Sequence, residues 1–151
     1  FTTTHLQTPL VTVHIRWGDK HKEMQLIPIE SYLNAVKSFN LSKISVFVET
    51  EDENAISAFR ARAPDHWGVF TNSNATSAKT SGKDGDMKRF VIKHPQAGLH
   101  SIVSLLIGLQ SSYFVISTGS NWSRLISELC SVNTLKRCII SDLSPALSYW
   151  R

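Results

Sequence analysis

Leu10-Val11-Thr12-Val13-His14-Ile15-Arg16-Trp17-Gly18-Asp19-Lys20 is the stretch that decides the fold. Its first part, Leu10 to Arg16, carries β-branched residues on alternating positions, the period of a strand. Within that strand His14 and Arg16 stand on one side, two residues apart, and a Gly-Asp turn then presents Lys20. A strand that ends in a cluster of His, Arg and Lys marks its carboxyl end as the place to look for chemistry. The rest of the chain has to supply the neighbours of that strand.

The neighbours alternate in type. From Pro28, the residues Ile29, Tyr32, Leu33, Val36 and Phe39 recur at spacings of three and four, which predicts a helix with Pro28 in its first turn. Lys43 to Glu49 reads as a second strand. Glu51 to Arg62 reads as a helix with Ala55, Ile56 and Phe59 on one face, acidic residues in its first turn and Thr50 as its cap. Trp67 to Thr71 is a short third strand, and Asn72 to Gly85, polar and without apolar periodicity, is expected to be a long loop. Gln96 to Gln110 is apolar around most of its circumference and is expected to be a helix buried between layers. Tyr113 to Ser117 is a fourth strand, Asn121 to Cys130 a helix with Trp122, Leu125, Ile126 and Leu129 inward, and Arg137 to Ser141 a last strand. Alternation of this kind predicts an α/β fold: one Rossmann-like domain over residues 1–151, doubly wound, with a mostly parallel sheet of about five strands and helices on both faces.

Composition agrees with that class. The chain has 151 residues, 42% of them hydrophobic and 19% charged, which excludes a disordered or fibrous polypeptide. The net charge of +4 favours anionic partners, but it is too small and too dispersed for wrapping nucleic acid. A phosphorylated small molecule fits better. No run approaches the roughly 18 apolar residues of a membrane span. The chain starts at Phe1 rather than Met, and it is expected to be a piece of something longer. Cys130 and Cys138 have no Cys-x-x-Cys or His partner that would hold zinc, so no metal is expected. They read as two small semi-buried thiols, with a disulfide open to them in an oxidising compartment. Asn40, Asn74 and Asn121 lie in glycosylation sequons, of which Asn74 has the most loop-like surroundings.

In a doubly wound sheet, ligands bind beyond the carboxyl ends of the strands where the strand order reverses. Arg16, with a forked guanidinium, and Lys20, a mobile point charge, suit two oxygens of one diphosphate. The plainer reading is an Arg16–Asp19 salt bridge closing the turn. Ser117-Thr118-Gly119-Ser120-Asn121 joins the fourth strand to a helix, so Ser120 is placed either at an anion site or as an ordinary cap. Glu23 borders the same cleft, as a proton acceptor or as a solvated loop residue. Glu51 and Asp52 either start a helix or position basic residues and sugar hydroxyls. Trp17 and Trp122 are candidates for stacking on a base or sugar, with core packing the plainer reading for Trp122.

Taken in order, H-I-R-W-G-D-K, K-E-M-x-L-I-P-I-E-S-Y-L, V-F-V-E-T-E-D and Y-F-V-I-S-T-G-S-N-W-S-R-L-I-S-E-L resemble the α-1,6-fucosyltransferases of N-glycan cores and the related Nod-factor enzymes. The resemblance runs from about Val11 to Leu129. It implies one half of a GT-B-like fold, the half that binds GDP-fucose, in an inverting, metal-independent enzyme of the Golgi lumen or secretory pathway. An amino-terminal domain would complete the cleft for the glycan acceptor. By the same resemblance His14 would contact the guanine end of GDP, Arg16 the β-phosphate and Lys20 the leaving group, with Glu23 as the general base. Glu51 and Asp52 match the paired acids after the second strand, and Ser120 and Asn121 match a phosphate-binding pair. The family's Asp that pairs with guanine is Ser104 here. A hydroxyl does not accept two N–H donors as a carboxylate does. That position leaves three alternatives: a nucleotide held differently, a different donor, or a non-catalytic nucleotide-sugar or glycan-binding module.

Overall fold

Five parallel strands lie in the order β3-β2-β1-β4-β5: β1 (Leu10–Ile15), β2 (Ile44–Thr50), β3 (Trp67–Phe70), β4 (Tyr113–Ile116) and β5 (Ile139–Asp142). They belong to a computed structural model that describes residues 9–17, 26–73, 95–134 and 136–144. The described helices are α1 (Ile29–Ser38), α2 (Glu53–Arg60), α3 (Ala97–Gly108) and α4 (Asn121–Val132). This is the expected Rossmann-like α/β architecture. The order reverses between β1 and β4, so the crevice of such a sheet opens beyond the ends of those two strands.

Side-chain alternation along the strands sorts the two layers. Val11, Val13 and Ile15 of β1 and Ile44, Val46 and Val48 of β2 pack with Ile29, Tyr32, Leu33 and Val36 of α1 and Ala55, Ile56 and Phe59 of α2. On the other face Leu105 of α3, Phe114 and Ile116 of β4, and Ile126 and Cys130 of α4 form a second cluster. The residues of β1 and β2 that point to this second face include Thr12, His14 and Glu49. Thr12 donates to the Gly108 carbonyl at 3.0 Å, His14 meets Ser123 and Glu49 meets Trp122. One face of the central strands is therefore apolar and the other carries buried polar groups, a division that positions the site.

The helices begin and end for local reasons. Pro28 has the fixed φ of a helix entry, and α1 closes at Asn40, which takes a positive φ of 58° and donates its N–H to Lys37 O. Asp52 rather than Thr50 caps α2: its Oδ1 accepts the Asn54 N–H at 2.8 Å, while Thr50 Oγ1 accepts the N–H of Asp52. The cap expected at Thr50 is thus displaced by two residues, because α2 begins at Glu53, where the Asp52 carboxylate is the group in reach of the N2 amide.

Two expectations are corrected. α3 is not buried all round: Ala97, Ser104, Leu105 and Gly108 face inward, whereas Leu99, Ile102, Val103 and Leu106 form an exposed apolar stripe. Gly108 permits a close approach, since a Cβ there would lie 3.4 Å from Thr12 Cγ2. The cysteines are not free thiols. Cys130 at the end of α4 and Cys138 just before β5 are joined in a disulfide, their Cα atoms 5.8 Å apart. Spacing alone did not reveal it, because the parallel pairing of β5 with β4 is what returns the chain to the end of α4. The Asn74 sequon lies outside the described residues, and Asn40 and Asn121 are exposed.

Candidate functional site

The carboxyl ends of β1, β2 and β3 together with α3 and α4 enclose a pocket of about 110 Å³, lined in part by His14, Glu49, Thr50, Asn72, Ser104 and Trp122. Several polar side chains around it are held by hydrogen bonds. Asn72 follows β3 and donates through Nδ2 to Ser104 Oγ at 3.0 Å and to the His100 carbonyl at 3.2 Å, fixing α3 over the sheet. Ser123 Oγ lies 2.7 Å from His14 Nδ1 and accepts the Ser117 N–H at 3.2 Å. His14, expected at the nucleotide-facing end of β1, thus lines the pocket and is only 5% exposed.

Arg16 lies just beyond β1, where its Nη1 donates to Glu51 Oε2 at 2.8 Å. This selects one of the two roles open to Glu51: it positions a basic residue. Asp52 is occupied with capping α2. Trp17 sends its indole N–H to the Ile27 carbonyl at 2.9 Å and packs against the core, so it serves as a brace between β1 and the approach to α1. Asp19, Lys20 and Glu23 lie outside the described residues.

The turn after β4 departs from the expected open anion cradle. Asp142 of β5 accepts the Thr118 N–H at 3.1 Å and its hydroxyl at 2.5 Å, and Ser144 Oγ accepts the Gly119 N–H at 3.0 Å. Burial raises the Asp142 carboxyl, but the hydrogen bonds from Thr118 and Ser144 outweigh it and hold the group below its ordinary value. Asp142 is therefore a fixed negative charge at this turn. Ser120 is buried and is the N-cap residue of α4, yet its side chain makes no capping hydrogen bond. Asn121, exposed, accepts from the Arg124 guanidinium through Oδ1. What persists of the cradle is the first turn of α4, whose Ser123 meets His14 and whose Trp122 lines the pocket.

Sequence reasoning missed Glu49. It ends the apolar run of β2, is 8% exposed, and accepts the Trp122 indole N–H through Oε1 at 2.7 Å. Its Oε2 is buried and has no hydrogen-bond partner among the described residues. Burial, opposed by the Trp122 bond and aided by the nearby Glu51 charge, pushes its carboxyl up to about 7. The signal was present: a carboxylate one residue before the end of a strand that is otherwise apolar and central. Trp122, for which core packing was the plainer expectation, is half-buried, packs against the second cluster and also holds this carboxylate.

No family model and no curated protein matches the chain. Among solved structures, it is similar to that of a NodZ alpha-1,6-fucosyltransferase co-crystallized with GDP, with a TM-score of 0.48 and 14% sequence identity over 78% of this chain. The match covers 34% of that structure's chain, so this chain spans about a third of its length.

Proposed function

We propose that this chain is the donor-binding half of a fucosyltransferase-like glycosyltransferase, which moves a fucosyl unit from GDP-fucose to a hydroxyl of a glycan with inversion. The observation that carries the reading is the set of groups that the fold gathers at the carboxyl ends of its strands. Arg16 follows β1 and is held by Glu51, α4 begins after β4 without a side-chain cap from Ser120, and a pocket lined by His14, Glu51 and Trp122 lies against α3. A guanidinium and a helix start both favour a diphosphate, and a pocket beside them suits the base. In this reading Glu23 takes the proton of the acceptor hydroxyl, whose oxygen forms a bond to the anomeric carbon as the bond to the β-phosphate oxygen breaks. Arg16, Lys20 and the start of α4 take up the charge of the departing GDP. No metal takes part. An amino-terminal domain supplies the acceptor side, and the disulfide supports a secretory-pathway location.

A second reading, a module that binds nucleotide sugar or glycan without turnover, is favoured by one observation: Asp142 and Ser144 already take the Thr118 and Gly119 amides. Titration calorimetry with GDP, UDP and GDP-fucose, followed by a transfer assay with a glycan acceptor, separates the two. GDP binding with transfer supports the enzyme, GDP binding without transfer supports the module, and no binding of any nucleotide overturns both. A Glu23→Ala variant that transfers at the full rate would remove the base assigned here.

A further inference from the structure

We propose that Asn40 is an N-glycosylation site, which carries an oligosaccharide on its Nδ2 at the end of the sheet opposite the pocket. The inference goes beyond the transferase reading and rests on one part of it, the secretory-pathway location.

Asn40-Leu41-Ser42 is a sequon, and short sequons arise by chance, so the case stands on how the fold presents it. The three residues form the turn from α1 into β2. Leu41 packs against the first apolar cluster and anchors the middle of the turn, while Asn40 and Ser42 on either side of it are exposed. Asn40 takes a left-handed φ of 58°, a conformation that Asn adopts more readily than other residues with a Cβ. Its backbone N–H is taken by Lys37 O, which leaves the side-chain amide in solvent. A helix end accounts for Asn40 but makes no demand on Ser42. The amide and the hydroxyl two residues on, the pair that the modification needs, thus stay within reach in the folded protein.

The Asn121 sequon is closed by folding. Its hydroxyl residue, Ser123, is buried and engages His14 and the Ser117 N–H, and Asn121 itself accepts from Arg124. Location separates the two further. β2 runs from the Asn40 turn to the pocket wall at Glu49 and Thr50, a length of roughly 20 Å at about 3.3 Å per residue. A glycan on Asn40 stands clear of the crevice, whereas one on Asn121 would stand on the first turn of α4.

The compartment follows from an independent observation. Cys130 and Cys138 are joined in a disulfide, which persists where the surroundings oxidise thiols, as in the lumen where chains receive N-linked glycans. The donor there is an oligosaccharide carried on a polyprenyl diphosphate, and a resident transferase joins it to the chain. Nδ2 of Asn40 forms a bond to the anomeric carbon as the bond from that carbon to the diphosphate oxygen breaks. The electron pair leaves with the lipid diphosphate, and one Nδ2 proton passes to a carboxylate of the transferase.

The test is secretion of the whole chain from eukaryotic cells behind a cleavable leader. Peptide mass spectrometry follows, before and after an amidase that strips N-linked glycans and leaves Asp where the modified Asn stood. The Asn40 peptide is expected to carry the glycan and the Asn121 peptide to be bare. Ser42→Ala, which keeps Asn40 in its turn, is expected to abolish the modification at Asn40, and Ser42→Thr to retain it. Alkylation of the same samples reads the cysteines. A bare Asn40 beside an intact Cys130–Cys138 bridge, or a glycan on Asn121 in its place, overturns the site and leaves the oxidising location standing. A bare Asn40 with both cysteines alkylated overturns both. Should Ser42→Ala fail to be secreted, the native peptide decides alone.

Discussion

Ser123 Oγ lies 2.7 Å from His14 Nδ1 and at the same time accepts the Ser117 N–H, so a single hydroxyl ties the end of β1 to the end of β4 and to the first turn of α4. These are the two strands between which the order reverses. All three groups are buried, and the arrangement sets the width of the crevice at its base.

Ser123→Ala removes the acceptor of a buried N–H and a partner of the imidazole. It is expected to destabilise the protein by about 1–3 kcal/mol, well beyond the loss of one exposed hydroxyl. Urea unfolding of the two proteins checks this. A change below a few tenths of a kcal/mol would show that the hydroxyl is not a structural tie.

Glu49 makes stability depend on pH. Its carboxyl is raised from 4.5 to about 7 in the folded state, so the native protein holds a proton that the unfolded chain has released between those values. Stability from this group therefore falls as pH rises from about 4.5 toward 7, and the full penalty, about 3 kcal/mol, stands above that window. Glu49→Gln is expected to flatten this part of the profile and to be the more stable protein at pH 8. Thermal unfolding across pH 5 to 8 reads both slopes, and parallel profiles would contradict the assignment.

Arg16 and Glu51 should separate stability from binding. Their side chains are 21% and 45% exposed, and an ion pair so open to water contributes about 1 kcal/mol or less. Arg16→Ala is expected to unfold at nearly the native denaturant concentration and yet to bind GDP at least about tenfold more weakly, through the loss of a forked phosphate contact. Native GDP affinity in this variant would remove the guanidinium from the diphosphate site.

The Cys130–Cys138 bridge closes a loop with a sequence separation of eight. For a loop that short, constraint of the unfolded chain contributes about 2 kcal/mol. Replacing both cysteines by serine is expected to lower stability by about that amount without changing the fold, as read by denaturant titration and circular dichroism.

How far the sequence disclosed all this depends on whether the signal was local. The five strands and the helices of the two layers were legible because Val11, Val13 and Ile15 repeat at two and Ile29, Tyr32, Leu33 and Val36 at three and four, periods that survive whatever packs against them. His14, Arg16 and Ser120 were legible as residues at strand ends in a fold whose ligands sit there. The exposed stripe of α3 was not, because the same apolar residues Leu99, Ile102 and Leu106 satisfy a buried and an uncovered helix equally well. Nor were Asp142 on the Thr118 turn, 24 residues away, and Glu49 on Trp122, 73 residues away, since both pairings exist only once the sheet is assembled. Glu49 in particular was hidden by being the last charged letter of an apolar run.

Helix α4 is anchored to β5 at either end. Asp142 holds the turn that leads into it, and the disulfide holds its far terminus. It behaves as a beam clamped twice rather than a hinged rod, and Trp122 and Ser123 ride on it. A thiol reductant in the assay buffer releases one clamp, so affinities recorded with and without dithiothreitol belong to two mechanically different proteins and should not be pooled.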